Sequence, residues 1–345
     1  MQTRHHRKAL LIYTHGAGRL GNQLFAYAHL LAFVEEHPDD FELINLSFIP
    51  YSTFLAQPPL LPSPTPEGHP VLHFLATLAT IDPSQGKVSW LPEKVLVNCA
   101  RLLHGYGAIA PHGQSLIVGD IYYWSFIAGQ RLEHLDLASP AVVEQLNRKA
   151  FSVLAGWSIR SWQLVAKHEN AIRQKLAIHP RYATVATTFI DGLRQQYDFL
   201  VGVAIRQGDY RSSAEVFKRF LFESDQYARW IEQAAVAFAG KGRVGFVITA
   251  DEPQEREMFG PHVHFSTGIA GGNGHYLESL MELALCDVLL TSATTFGIWA
   301  AFLGNIPIIL LWDANQQVQA DAVVHYLEAL QQFDQISDSL LQWSR

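Results

Sequence analysis

The chain has 345 residues, 49% of them hydrophobic and only 17% charged. That length accommodates two domains, the hydrophobic content excludes intrinsic disorder, and the sparse charge points to sizeable apolar or partner-covered surface. The net charge is −7 with 16 histidines counted as neutral, so the basic footprint of a nucleic-acid binder is absent.

The two cysteines, Cys99 and Cys286, sit in apolar stretches with no C-x-x-C pairing. This fits a reducing compartment and supplies no zinc spacing. The short basic run His5 to Lys8 reads as a solvated terminus, with a weak peripheral membrane contact as the alternative. Ala9 to Tyr13 is too short for a signal-peptide core. No uninterrupted run of about 18 apolar residues suggests a transmembrane helix. A cytoplasmic location is expected.

In chain order, Ala9 to Tyr13 reads as a buried strand, followed by a glycine-rich turn and a helix from about Asn22 to Glu35. Phe41 to Leu46 reads as a second strand, completing a βαβ unit. Pro50 to Pro70 is proline-rich and reads as an irregular loop, either an acceptor-side loop or a plain connector. Ser115 to Ile121 reads as a strand, and Pro140 to Leu193 as mostly helical. A second block begins with the strand Phe199 to Ile205 and the helix Ser224 to Ala239. It continues with strands at Val244 to Thr249, Val288 to Thr291 and Ile306 to Leu311, and helices at Tyr276 to Leu285 and Phe296 to Leu303. This alternation predicts an α/β fold with parallel, doubly wound sheets. The expectation is two Rossmann-like domains facing a cleft, 1–195 on the acceptor side and 196–345 on the nucleotide side.

Four segments can carry chemistry. Gly16, Gly18 and Gly21 precede a helix beside Asn22, which suits either close backbone approach to a ligand or a tight turn with an asparagine cap. Their spacing matches G-x-G-x-x-G. The acidic residue expected at the next strand end is missing, Glu42 being too early, so NAD binding is discounted. Arg206 ends a buried strand, followed by Gln207, Gly208 and Asp209. A guanidinium there can grip a diphosphate in bidentate fashion, or simply pair with Asp209, which could instead pair with Arg211. Thr291, Ser292, Thr294 and Thr295 crowd the start of a helix that continues with Phe296, as a phosphate cradle or as ordinary capping. Asp251 follows another strand and can meet a base or ribose edge, or cap a helix.

Together these segments resemble the fucosyltransferase superfamily, closest to the α-1,2-fucosyltransferases. The family's opening Gly-x-Gly-Asn-Gln pattern is similar to Gly18 through Ala28. Its His-x-Arg-Arg-Gly-Asp-Tyr is similar to Ala204 through Tyr210. Its Leu-x-x-Met-x-x-Cys followed by Ser-Thr-Phe-Ser-Trp-Trp is similar to Leu280 through Cys286 with Thr294 through Trp299. The resemblance implies a GT-B fold and an inverting transfer of fucose from GDP-fucose to a glycan hydroxyl, with no metal and no cofactor. It implies that Arg206 stabilises the departing β-phosphate. Asp251 would lie near guanine or ribose, Ser292, Thr294 and Thr295 near the phosphates, and Asn22 near donor and acceptor. Independently of the resemblance, Glu215, nine residues beyond Arg206, is the expected general base, with Asp209 as the alternative. Ala204 stands for the family's histidine and Gln207 for its second arginine. These departures leave open a different nucleotide-sugar donor on the same fold, or a protein that binds a sugar nucleotide with impaired transfer.

Overall fold

The computed structural model describes residues 8–15, 19–57, 115–119, 135–148, 151–155, 159–212, 219–268 and 272–343. Gly16, Gly18, Glu215, Cys99 and the prolines from Pro58 to Pro70 lie outside them. The chain divides into two compact units, Met1–Leu176 and Ala177–Arg345.

In the first unit, β1 (Ala9–His15), α1 (Leu20–Glu36) and β2 (Phe41–Asn45) form the expected βαβ unit. A 3₁₀ helix over Leu46–Phe54 takes the first residues of the anticipated irregular loop, capped by the Asn45 side chain accepting from Phe48 N (3.0 Å). There follow β3 (Ser115–Gly119), the two-residue β4 (Leu135–Asp136), α2 (Pro140–Asn147) and β5 (Phe151–Ala155). Then come β6 (Ile159–Arg160), α3 (Trp162–Lys167) and α4 (Glu169–Lys175). The sheet is all parallel in the order β2-β1-β5-β3, while β4 pairs with β6.

The stretch expected to be mostly helical therefore contains an interior strand. Phe151-Ser-Val-Leu-Ala carries a single β-branched residue and sits between helical sequences, so local preference does not declare it. Pairing on both edges, with β1 and β3, makes it a strand.

Helix α1 is apolar nearly all round, and from Leu20 to Phe33 only Asn22 escapes full burial. A helix of that composition belongs inside a core. Trp162 closes on it, its ring centroid 5.3 Å from Phe25 and 4.5 Å from His29. His29 Nδ1 accepts from Ser161 N at 2.8 Å, so the ring is the neutral tautomer with its proton on Nε2.

The second unit opens with α5 (Pro180–Arg194), counted with the first domain on sequence grounds. Its buried stripe Tyr182, Ala186, Ile190 and Leu193 packs on a helix of the second unit, which is why the division falls at Leu176 instead of 195. Next come β7 (Phe199–Ile205), α6 (Gly208–Ser212), α7 (Ser224–Ala237), β8 (Val244–Ala250) and β9 (Val263–Phe265). The unit ends with α8 (Tyr276–Ala284), β10 (Val288–Ser292), α9 (Thr295–Gly304), β11 (Ile308–Leu311) and α10 (Tyr326–Trp343).

The five strands are parallel in the order β11-β10-β7-β8-β9. Chain order runs outward from β7 in one direction through β8 and β9, then in the other through β10 and β11. This is the doubly wound arrangement whose direction reverses between β7 and β10. Strand β7 is buried on both faces, as a central parallel strand must be. Val201, Val203 and Ile205 point into a core with Tyr227 and Trp230 of α7.

Candidate functional site

Ligands of open α/β sheets bind beyond the carboxyl ends of the strands where the winding direction reverses. Here that point lies between β7 and β10, joined in register at Ala204 and Thr291. Beyond their ends lie the 206–210 segment and the 292–296 loop, and the end of neighbouring β8 adds Asp251. Three of the four segments picked from the sequence therefore converge in one place.

Arg206 follows directly on β7. Its guanidinium bonds Asp209 through Nη2 (2.5 Å) and Asp251 through Nη1 (3.0 Å), and lies 5.8 Å from the centroid of the Tyr210 ring. Three-quarters of the side chain is buried. A guanidinium has five N–H donors, so two carboxylates fix its direction while leaving donors for a further anion. Asp251 also accepts from Gln207 N (2.8 Å) and Gly208 N (3.2 Å) through Oδ1, clamping the turn that carries the arginine. A Cβ at position 208 would stand 3.0 Å from Asp251 Oδ2, so glycine lets the carboxylate close on the turn. Arg211 engages Glu223 (2.7 and 2.8 Å) and Glu252 (3.1 Å), leaving Asp209 to Arg206. Those partners hold the Arg211 charge, and Arg211 in turn pulls the Glu223 carboxyl below its usual range.

Gln207 is 1% exposed and turns away from Arg206. Its amide nitrogen donates to Phe222 O (2.9 Å) and Ser224 Oγ (3.4 Å), and its oxygen accepts from Gln254 Nε2 (2.9 Å). Gln254 in turn accepts from Ser224 Oγ (2.6 Å). The amide is thus a closed structural link between the turn, the start of α7 and the segment after β8. Ala204 is buried between Thr249 and Thr291 on the adjacent strands.

The hydroxyl-rich loop separates into distinct jobs. Thr291 is fully buried and donates to Ser292 O (2.9 Å). Gly297 lies against it, since a Cβ there would meet Thr291 Oγ1 at 2.4 Å. Thr294 is the cap of α9, accepting from Gly297 N at 3.2 Å. Ser292 is fully buried beside Tyr227, whose hydroxyl also neighbours the Arg206 backbone. Neither the Ser292 nor the Tyr227 hydroxyl has a well-aligned partner among the described residues. Burial pushes the Tyr227 hydroxyl up to about 12 and raises that of Tyr210, so both stay protonated. Thr295 and Phe296 are half-buried in the first turn of α9, at the positive end of the helix. Of the four residues, Thr295 is the one that is only half-buried and does not form the cap.

Tyr210 escaped selection from the sequence although it ends the Gly-Asp-Tyr of the quoted motif. Its hydroxyl donates to Ala293 O (3.1 Å), tying the β7 turn to the β10 loop across the point where the winding reverses. Gly21 and Asn22 belong to the first unit, Gly21 buried and Asn22 half-buried in the first turn of α1. The next residue, Gln23, is buried and accepts from Ser47 Oγ (2.5 Å). Among the described residues no group of His, Cys, Asp and Glu is arranged to hold a metal, and no helix is long and apolar enough to cross a membrane.

Residues 161–325 match the family model described as Glycosyl transferase family 11. Galactoside 2-alpha-L-fucosyltransferase SEC1 of Bos taurus is 28% identical over 152 residues, 42% of this chain and 40% of that protein. The chain therefore matches about two-fifths of the length of this relative. A mutant of Arabidopsis thaliana FUT1, solved in complex with GDP, aligns over 92% of this chain and 73% of its own, with TM-score 0.54 and 12% identity. That likeness is one of fold, the GT-B class. These matches bear out the resemblance to the fucosyltransferase superfamily on its α-1,2 side.

Proposed function

We propose that this chain, akin to the α-1,2-fucosyltransferases, transfers fucose from GDP-fucose to a glycan hydroxyl with inversion and without a metal. The observation that carries the reading is Arg206, oriented by Asp209 and Asp251 where the winding of the sheet reverses and opposite the N-terminus of α9. The name of the bovine relative and the GDP held by the Arabidopsis structure support a guanine-nucleotide sugar as donor.

In this mechanism the acceptor oxygen attacks the anomeric carbon of fucose as the bond from that carbon to the β-phosphate oxygen breaks. The electron pair leaves with GDP, and the acceptor proton passes to a base, assigned to Asp209, with Glu215 as the alternative. Negative charge grows on the leaving diphosphate. Donors already fixed there stabilise it without reorganising: the unspent N–H groups of Arg206, the Thr295 hydroxyl and the positive end of α9. Asp251 keeps Arg206 aimed and completes the wall on the nucleoside side. A cytoplasmic location belongs to the same proposal, supported by the buried Cys286 thiol, which has no disulfide.

A different nucleotide sugar is the second reading, favoured by Ala204, which removes an imidazole from the strand carrying Arg206. Thermal shift with GDP, UDP and CDP separates the two. Stabilisation by GDP alone supports the fucosyl reading, and stabilisation by UDP or CDP alone overturns it. Arg206→Ala is expected to reduce transfer by at least about a hundredfold, the scale of losing one fixed donor to a developing anion. Near-normal turnover in that variant removes Arg206 from the mechanism.

A further inference from the structure

Strand β11 ends at Leu311, and Trp312 emerges at the carboxyl edge of the same sheet. Its backbone is held rigidly: Trp312 N donates to Gln316 Oε1 (2.8 Å), Gln316 Nε2 to Leu310 O (2.7 Å), and Trp230 Nε1 to Gln316 O (2.8 Å). The indole meets Phe220 edge to face at 6.5 Å, and Arg219 lies over the Phe220 ring at 5.2 Å. With Gln332 and Gln335 of α10 these side chains line a cavity of about 330 Å³. That volume falls at the small end of the range for small-molecule sites, about 300–1,000 Å³. Phe220 packs on Ala293, with Tyr210 and Trp312 against the pair. Phe220 thus links the cavity wall by packing to the loop that follows β10.

The lining specifies its ligand. The half-buried Trp312 indole offers flat apolar surface, braced from behind by the buried Phe220 ring. Gln332 and Gln335 stand one helical turn apart, on one face of α10, and each amide both donates and accepts. Glu328 accepts from Gln332 Nε2 (3.1 Å), which orders that amide. Arg219 has no ion pair with the described residues and adds donors at the rim. None of the five lining residues among the described ones is a carboxylate, and Arg219 is itself positively charged. A pyranose ring meets these terms, with one face of C–H groups for the aromatic surface and hydroxyls at its edge for amides and guanidinium.

The geometry points to this cavity as a saccharide subsite that holds one neutral pyranose unit of the acceptor beside the transfer centre. The inference rests on the glycosyl-transfer reading for its use, but not for its chemistry.

The test is saturation-transfer NMR on the whole chain with methyl β-D-galactopyranoside and methyl α-D-glucopyranoside, with and without GDP. Wild type is expected to give ring-proton signals that persist in GDP. Trp312→Ala and Gln335→Ala are each expected to weaken the pyranoside roughly tenfold, the scale of one lost contact, with GDP affinity unchanged by calorimetry. Gln335 is exposed on α10, so its variant decides the matter if Trp312→Ala fails to fold. No pyranoside signal, signals indifferent to both substitutions, or displacement by GDP overturns the subsite. If wild type binds pyranosides but not GDP, the proposed function fails while the subsite stands.

Discussion

Gln207 tests how a motif position should be read. Restoring the family's arginine there puts a guanidinium where a neutral amide now satisfies Phe222 O, Ser224 and Gln254, at 1% exposure. Burying an uncompensated charge costs several kcal/mol. Gln207→Arg is therefore expected to lower stability by about 3 kcal/mol or more in urea titration and to leave transfer no faster. A stable, more active variant would show that the side chain can reach the donor instead. The charge missing from the motif is thus no loss of phosphate binding at that atom. The sequence could not show this, because the residues that enclose Gln207 lie up to 47 positions away. Arg206 was legible because a strand end followed by Arg-x-Gly-Asp needs only local pattern to be seen. Its second carboxylate, Asp251, was noticed for another role, since its partnership with Arg206 exists only once β7 and β8 are side by side.

At the scale of elements, the segments with strong period and clear punctuation were readable, and those defined by their neighbours were not. Strand β7 was located end to end from a continuous apolar run. Strand β5 was hidden, because only its pairing with β1 and β3 makes it a strand. The hydroxyl loop was found, but its functions were not, since capping, burial and ligand contact use the same residue types. Thr294→Ala removes the cap of α9 and is expected to cost about 1 kcal/mol. Thermal denaturation measures it, and an unchanged midpoint would deny the cap.

Helix α8 carries a different liability in Glu282, fully buried and accepting from the backbone N–H and the hydroxyl of Thr267. Burial outweighs these bonds and raises the carboxyl above its usual range. The protonated form is thus favoured in the folded chain. The corresponding stability is full below the unfolded value near 4.5 and is lost as pH rises through the higher folded value. Glu282→Gln is expected to flatten the decline of stability as pH rises above 4.5. An identical pH profile in the variant would assign the decline to other groups.

For the whole molecule, two α/β units were expected and two are found. Their division falls at Leu176 because helix α5 is committed by its buried stripe to the second unit. That unit has its own five-stranded sheet, its own core and every assembled part of the Arg206 site. A fragment spanning 177–345 is therefore expected to unfold cooperatively and to bind GDP within about tenfold of the whole chain, measured by calorimetry. A folded fragment blind to GDP would make the first unit indispensable for the nucleotide.

The Tyr210–Ala293 hydrogen bond spans 83 residues of chain. During synthesis, the arginine turn leaves the ribosome with β7 long before β10 exists to stand beside it. Closing so long a loop is slow relative to local structure. Competence to hold an anion consequently arrives with one late strand pairing, and a chain interrupted before it carries the charge but no cradle for it.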